Sequence, residues 1–452
     1  MNSSIPIQSR SGARRFPLHR LALFMLILAN VAAARPAGLG LSETLSKLDQ
    51  SPVLRQAVTV YQQAQADLAV AQARAGVQVK LETKSSNDLV LSSGANTFNT
   101  SLQLGLSVPL APQSALVRTA QIAELALKSA DAQLRLARAN LARCVVRAYG
   151  QVLSLDQARG QSQLRLELAQ FQASAFEERV RVGTATQVDS LNAQLALGSA
   201  QQDLARAEFT VRDARVGLAG LIGRSDLPGP LLPPDAPAVL PDLGRLRGII
   251  GQAPGMVFAQ VNLETARLNV LLAELQSWSS LRLGVGVVAD RASANVSVGL
   301  PDLSAQASLG YQLFGTPSSA APTFNVTLNL GLPIWDSGIA AASQGSANLN
   351  VERTRVELEQ ASQDVLAQLT GTLELARLDD ASLPTQRAAL EVAQRSLEAT
   401  QARFVAGSVT ALEVLAARVQ LSIAEGTLLS TQLRVLEDRY QVYVVLGVGG
   451  LS

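Results

Sequence analysis

The chain has 452 residues, 48% apolar and 16% charged, with one His, one Cys and a formal net charge of +2. Such an apolar fraction excludes a disordered chain. The one histidine, His19, lies in an N-terminal segment expected to be removed, leaving no His-paired nucleophile, His-ligated zinc or histidine base. Cys144 stands alone, so no intrachain disulfide framework or CxxC pair can form. The composition points away from an enzyme and implies neither a cofactor nor a metal centre.

Residues 1–34 combine Arg10, Arg14, Arg15 and Arg20 with a short apolar run, Leu21 to Ala34, that ends in Ala32-Ala33-Ala34. A basic start, a short apolar stretch and a small-residue end are the marks of a secretory signal peptide. The mature chain is therefore expected to be exported, beginning near Arg35. Removal of four arginines and no acid turns the formal charge from +2 to −2, which offers no electrostatic footprint for nucleic acid. Beyond the signal no stretch approaches the ~20 apolar residues of a membrane-spanning helix. The protein is either soluble beyond the inner membrane or crosses a second membrane as strands.

Internal repetition organises the remainder. The segment Arg179-Val-Arg-Val-Gly183-Thr-Ala-Thr-Gln-Val188-Asp189 recurs as Arg403-Phe-Val-Ala-Gly407-Ser-Val-Thr-Ala-Leu412-Glu413, an offset of 224. The same offset carries Leu104-Gly-Leu-Ser-Val-Pro109 onto Leu328-Asn-Leu-Gly-Leu-Pro333, whereas Ser51-Pro52 matches Ala253-Pro254 at an offset of 202. This divides the chain into a first repeat at 35–223, a linker at 224–245 and a second repeat at 246–452. The comparison places 22 extra residues at about 281–302.

Each repeat opens with a helix rich in Ala, Leu and Gln, expected at about 42–76 and 246–278. Strict alternation follows. Phe98, Thr100, Leu102, Leu104, Leu106 and Val108 oppose Asn99, Ser101, Gln103, Gly105 and Ser107, and Phe324, Val326, Leu328 and Leu330 repeat the pattern. Ala305, Ala307, Leu309, Tyr311 and Leu313 alternate in the same way. Period two predicts strands that either line a sandwich or face lipid on one side and water on the other. Leu281 to Val287 and Val296 to Leu300 predict a further hairpin. After Pro109 and Pro333 the period becomes helical, with no proline from Ser114 to Val182, about 69 residues or ~100 Å of helix. Gly160 and Pro384 fall at equivalent places and predict a kink or break in both long helices. Gly183 and Gly407 then turn the chain, and helices return over about 187–222 and 411–446. These return helices are half the outward length, and the opening helices would supply the rest if stacked end to end with them. Val188, Leu191 and Leu195, like Leu412, Leu415 and Val419, have the spacing of helix–helix seams. Four helices topped by strands cannot close a barrel alone, so oligomerisation is expected.

At this point the chain resembles TolC-like outer-membrane efflux proteins. The resemblance rests on the duplicated strand-to-helix motif at Pro109 and at Pro333-Ile-Trp-Asp336-Ser-Gly338, and on the duplicated turns Val-Gly183-Thr-x-Thr-x-Val-Asp189 and Ala-Gly407-Ser-x-Thr-x-Leu-Glu413. It implies an α+β membrane protein: a long antiparallel, coiled-coil-like helical tunnel continued by a transmembrane β-barrel, shared between three protomers with two repeats each. It also implies a homotrimeric, passive exit duct in outer-membrane lipid, its helical part in the periplasm. The partners implied are a periplasmic adaptor of the membrane-fusion type and an inner-membrane transporter, for efflux or secretion. Because each repeat must begin and end on the periplasmic side, strands can be added only in pairs, and two more per protomer would make an eighteen-stranded barrel in a trimer; the resemblance alone favours twelve, with the extra hairpin attached elsewhere.

The resemblance gives Val182, Gly183, Thr184, Ala406, Gly407 and Ser408 as the adaptor-docking tip. The alternative is that Gly183 and Gly407 only supply the left-handed conformation of a tight turn. Glu413 falls where relatives carry an acidic constriction residue, with Asp189 as its counterpart, and a threefold carboxylate ring would favour cations. Arg179, Arg181 and Arg403 could pair with these acids; plain solvation and helix capping are the competing roles. Ala416 and Val409 depart from the family's acidic and basic residues at those positions. A non-conducting cell-envelope coiled-coil scaffold explains the long helices but not the duplicated strands. A general porin would need far more strand.

Overall fold

A computed structural model describes residues 38–90, 95–110, 114–227, 229–234, 244, 246, 248–277, 280–300, 304–314, 319–331 and 338–448. The expected signal segment, half of the linker, and the Pro333–Ser337 part of the second strand-to-helix motif lie outside the described residues.

The chain opens with a short helix, α1 (Leu41–Ser46), a 3-10 turn at Leu48–Gln50, and α2 (Pro52–Arg74). Thus the opening helix is interrupted where 42–76 was expected to be continuous. Pro52 has no N–H to continue a ladder and starts α2 instead, in the first-turn position where none is needed. Strands β1 (Gln78–Val90) and β2 (Ala95–Pro109) lead into α3 (Ala115–Arg181), and α4 (Gln187–Leu221) returns. Ser114 caps α3 by accepting a hydrogen bond from the Val117 amide at 3.3 Å. The second repeat runs through α5 (Pro254–Ser277), β3 (Ser280–Asp290), β4 (Ala292–Leu300), β5 (Ser304–Phe314), β6 (Ser319–Gly331), α6 (Ile339–Val405) and α7 (Ala411–Leu446).

Both α3 and α6 have 67 residues, or ~100 Å, and neither is broken. Of the kink or break expected at Gly160 and Pro384, the break does not occur. Pro384 gives up one backbone hydrogen bond without ending the helix, and its neighbour Leu383 is buried. Helix α4 packs on α3, α3 on α7 and α7 on α6, while α2 covers the upper part of α3 and α5 lies across α3 and α6. The four lower helices therefore form an open layer, α4-α3-α7-α6, whose outer members are partnered on one side only. Consequently Leu415 and Val419 of α7 are buried, whereas Val188, Leu191 and Leu195 of α4 are exposed. The expected α4 seam has no partner within one protomer.

End-to-end stacking of the helices is present. Gly223 ends α4 with φ +72°, and a Cβ there would lie 2.5 Å from the Gln50 carbonyl oxygen just before α2. Gly447 ends α7 with φ +66°, and its Cβ would lie 2.4 Å from Pro254 at the start of α5. Each junction thus admits only glycine. A core of Leu39, Leu54, Val145, Tyr149, Leu218 and Ile222 encloses the first junction, and Leu246, Leu369, Val442 and Leu446 form the core by the second.

The six strands form one antiparallel sheet in the order β1-β2-β5-β4-β3-β6. This corrects the placement of the extra hairpin. The hairpin expected at 281–302 exists as β3–β4, but it is part of the sheet rather than attached elsewhere. Moreover β3 pairs with β6, Ser280 opposite Gly331, as β1 pairs with β2, Gln78 opposite Ser107. The pair equivalent to β1–β2 is therefore β3–β6, and the added residues form β4–β5. Alternation alone could not reveal this, because all four strands of the second repeat carry the same period.

Candidate functional site

The two lower ends of the helical layer are hairpins of one design. Gly183 (φ +79°) and Gly407 (φ +74°) end α3 and α6 in the left-handed region, where a side chain costs roughly 1–2 kcal/mol. Thr184 donates its amide to the Arg179 carbonyl at 2.8 Å, and Ser408 does the same to Arg403 at 3.0 Å. Both hydroxyls donate to those same carbonyls, at 3.2 and 3.0 Å. The last carbonyls of each outward helix are thereby satisfied before the chain reverses.

The returning helices begin with matched capping boxes. The Thr186 hydroxyl accepts from the Asp189 amide at 3.2 Å, and the Asp189 carboxylate accepts from the Thr186 amide at 2.9 Å. The Thr186 hydroxyl also donates to that carboxylate at 2.7 Å. These hydrogen bonds, the hydroxyl's first, lower the pKa of Asp189. Glu413 makes the same set with Thr410, at 3.3 Å to the Thr410 amide and 3.1 Å from its hydroxyl. Both acids thus have a structural role in one protomer, Glu413 exposed and Asp189 half-buried.

The basic residues do not meet these acids within a protomer. Arg181 makes a two-pronged ion pair with Glu178, one turn back on α3, and Arg179 lies over the Phe176 ring at 5.6 Å. Among the described residues no ion pair joins Arg403 to Glu413. Of the tip residues, Val182, Gly183, Thr184, Ala406, Gly407 and Ser408 are all exposed, with Val405 beside them 88% exposed. Near the tips, Phe171 of α3, Phe404 of α6, and Leu415 and Arg418 of α7 line an open cavity of about 490 Å³.

Three features were not read from the sequence. Tyr149 is fully buried, its hydroxyl 2.9 Å from the Leu39 carbonyl and 2.5 Å from that of Leu232, and burial pushes its pKa up to about 12. It ties the chain's first described residues to the segment between repeats, where Leu39 and Leu231 form a parallel bridge. Along the α3–α7 contact, Gln157 and Gln161 both donate to the Ser422 carbonyl, at 3.1 and 3.0 Å. Higher up, Asp379 pairs with Arg434 at 3.1 Å and Asp380 with the buried Arg439 at 3.7 Å. Burial, then the neighbouring Asp379, pushes Asp438 up to about 6. Only a spacing pattern across two distant helices could have signalled these pairs.

The sheet above has two unlike faces. Val79, Leu81, Leu104, Leu106, Leu283, Val285, Leu328 and Leu330 are exposed on one, while Lys80, Glu82, Gln103, Arg282 and Asn329 lie on the other. Water on both sides would leave a large apolar surface uncovered, and lipid on one side covers it. The family model for outer membrane efflux proteins matches residues 46–224 and 259–448. The chain belongs to the outer membrane efflux protein family. That family comprises outer-membrane channels, not enzymes. The pyoverdine export outer membrane protein OpmQ of Pseudomonas putida is 27% identical over 319 residues, 68% of this chain and 61% of the relative. OpmQ of Pseudomonas aeruginosa is 25% identical over similar shares. The chain thus spans about three fifths of the length of these curated relatives. The crystal structure of VceC from Vibrio cholerae shares the fold with a TM-score of 0.67 over 90% of this chain and 96% of that one, at 18% identity. The Neisseria gonorrhoeae MtrE channel matches at 0.64 over 90% and 89%, at 22% identity.

Proposed function

We propose that this efflux-family chain is exported by its N-terminal segment and assembles as a homotrimer, a passive duct through the outer membrane and periplasm. The observation that carries this reading is the pairing of two open edges. The helical layer ends in the half-partnered α4 and α6, with Leu195 of α4 72% exposed and Leu349 and Leu378 of α6 at 73% and 67%. The sheet above ends in β1 and β6, whose outer edges are unpaired among the described residues. Three copies joined at both edges give a helical tunnel of twelve helices under a closed barrel, removing every exposed sheet edge.

A duct of this kind holds no energy source. An inner-membrane transporter supplies energy and chooses the cargo, so the pyoverdine named for the relatives is not carried over. A periplasmic adaptor docks on the exposed tips at Gly183 and Gly407. Glu413, with Asp189, forms the acidic ring at that narrow end, since a carboxylate held in a capping box keeps its charge at a fixed height along the axis. The reading is tested by separating inner and outer membranes of cells expressing the chain and weighing the detergent-extracted complex by native mass spectrometry. Three copies in the outer-membrane fraction are expected; a monomer in the soluble fraction would favour the scaffold reading.

A further inference from the structure

The β4–β5 hairpin, which the first repeat lacks, lies between the strands that the two repeats share. Removal of it would bring β2 next to β3, four strands in all; with it the sheet has six. It is bonded on both sides, β5 to β2 from Thr100–Phe314 to Pro109–Ser304, and β4 to β3 from Leu281–Leu300 to Ala289–Ala292. Its two faces continue those of its neighbours. Val296, Leu309 and Tyr311 are exposed on the side of Leu104 and Leu283, and Ser297, Gln306 and Ser308 share the side of Gln103 and Gly284.

The sheet curls toward its polar side. Lys80, Glu82, Gln103, Gln306 and Ser297, from β1, β2, β5 and β4, line one shared concavity of about 410 Å³. Side chains crowd elsewhere on the same polar face: a Cβ on Gly286 would sit 2.1 Å from Asn295 and 2.2 Å from Asn325, and one on Gly310 would sit 2.5 Å from Ser293. The hairpin therefore carries the curvature and polarity of a barrel wall whose lumen is the polar side.

We propose that three copies close an eighteen-stranded barrel, each β1 pairing with β6 of the next copy and each β4–β5 hairpin widening the wall. This rests on the trimeric channel reading. An even number of antiparallel strands leaves β1 and β6 running oppositely, and both have 13 residues, so the two free edges match in direction and length for an antiparallel ladder. A spacing of ~4.8 Å and a tilt of ~40° give a backbone diameter of ~36 Å for eighteen strands against ~24 Å for twelve. Side chains of ~5 Å on each wall leave lumens of ~26 and ~14 Å. The outer-membrane segment then passes bulky solutes that a four-strand protomer's barrel would stop, and size selection is left to the helical tips.

The test uses the full chain in lipid vesicles in a Cys144→Ser background, with single cysteines at Leu104, Val296, Leu309, Ser297 or Ser308. Bromolipid quenching of an attached fluorophore reports lipid contact, and a membrane-impermeant thiol reagent reports water. Positions 296 and 309 are expected to be quenched like 104, with 297 and 308 reacting from water. A density map of the nanodisc-embedded trimer should show eighteen strands. Quenching at 104 with 296 and 309 in water, or a count of twelve, would overturn the inference while keeping the channel. Water at 104 would overturn the channel reading, and the wide barrel with it.

Discussion

Replacement of Gly223 by Ala tests the stacked-helix architecture by a difference between two sites of nearly equal backbone geometry. Gly223 and Gly183 have φ values of +72° and +79°, so an added methyl costs each the same left-handed penalty, roughly 1–2 kcal/mol. Nothing lies within 4 Å of a Cβ on Gly183, but on Gly223 it would lie 2.5 Å from the Gln50 carbonyl oxygen and 3.2 Å from its carbon. Backbone atoms cannot swing aside like a flexible side chain, so the ends of α4 and α2 must separate. Such overpacking adds about 1–3 kcal/mol. Gly223→Ala should therefore lose about 2–5 kcal/mol and Gly183→Ala only about 1–2. Urea denaturation of the detergent-purified protein, followed by far-ultraviolet circular dichroism, gives both values. Hydrogen exchange should also quicken at Leu218–Ile222 in the first variant alone. Equal losses would refute an abutting α4–α2 junction.

Further expectations follow from the buried polar groups. Tyr149→Phe leaves the Leu39 and Leu232 carbonyls without the hydroxyl and should lose about 1–2 kcal/mol, with faster proteolysis near residues 38–41. Asp438 has a folded pKa of about 6 against an ordinary 3.8, so its protonated form favours the fold. Its contribution is complete below pH ~4 and lost as pH rises through ~6. Partial exposure beside Asp379, Glu437 and Arg434 limits this to about 1 kcal/mol, and Asp438→Asn should flatten that part of a denaturation-versus-pH curve. An unchanged slope would show that Asp438 titrates alike in both states. Thr410→Ala removes a capping box and should lower stability by about 1 kcal/mol; Thr410→Ser should restore it.

The helices were legible because their signals are local. Ser114, Thr186 and Thr410 open α3, α4 and α7, and Gly183, Gly223, Gly407 and Gly447 follow the ends of α3, α4, α6 and α7, which kept the bounds of α3, α4 and α7 within a residue or two of expectation. The unbroken passage through Pro384 was not legible, because an internal proline reads locally as a kink or break and nothing in the local pattern shows that the helix continues past it. Strand existence could be read from alternation at Phe98–Val108 and Phe324–Leu330. Strand order could not, since a period of two says nothing about which neighbour each strand takes. At the tips, sequence repetition located Asp189 and Glu413, yet the capping spacing Thr-x-x-Asp/Glu fits a purely structural role equally well. The exposed edges on which the proposed assembly rests, at Leu195 and Leu349 in the helices and at β1 and β6 in the sheet, came into view only with the folded protomer.

Single-channel conductance of the purified protein in planar bilayers tests the duct most directly, wild type against Glu413→Gln. Discrete, cation-preferring steps are expected, with cation preference reduced in the variant because the acidic ring at the tips is neutralised. Conductance without any change in selectivity would remove Glu413 from the constriction, and an intact trimer that inserts yet passes no current would contradict the duct itself.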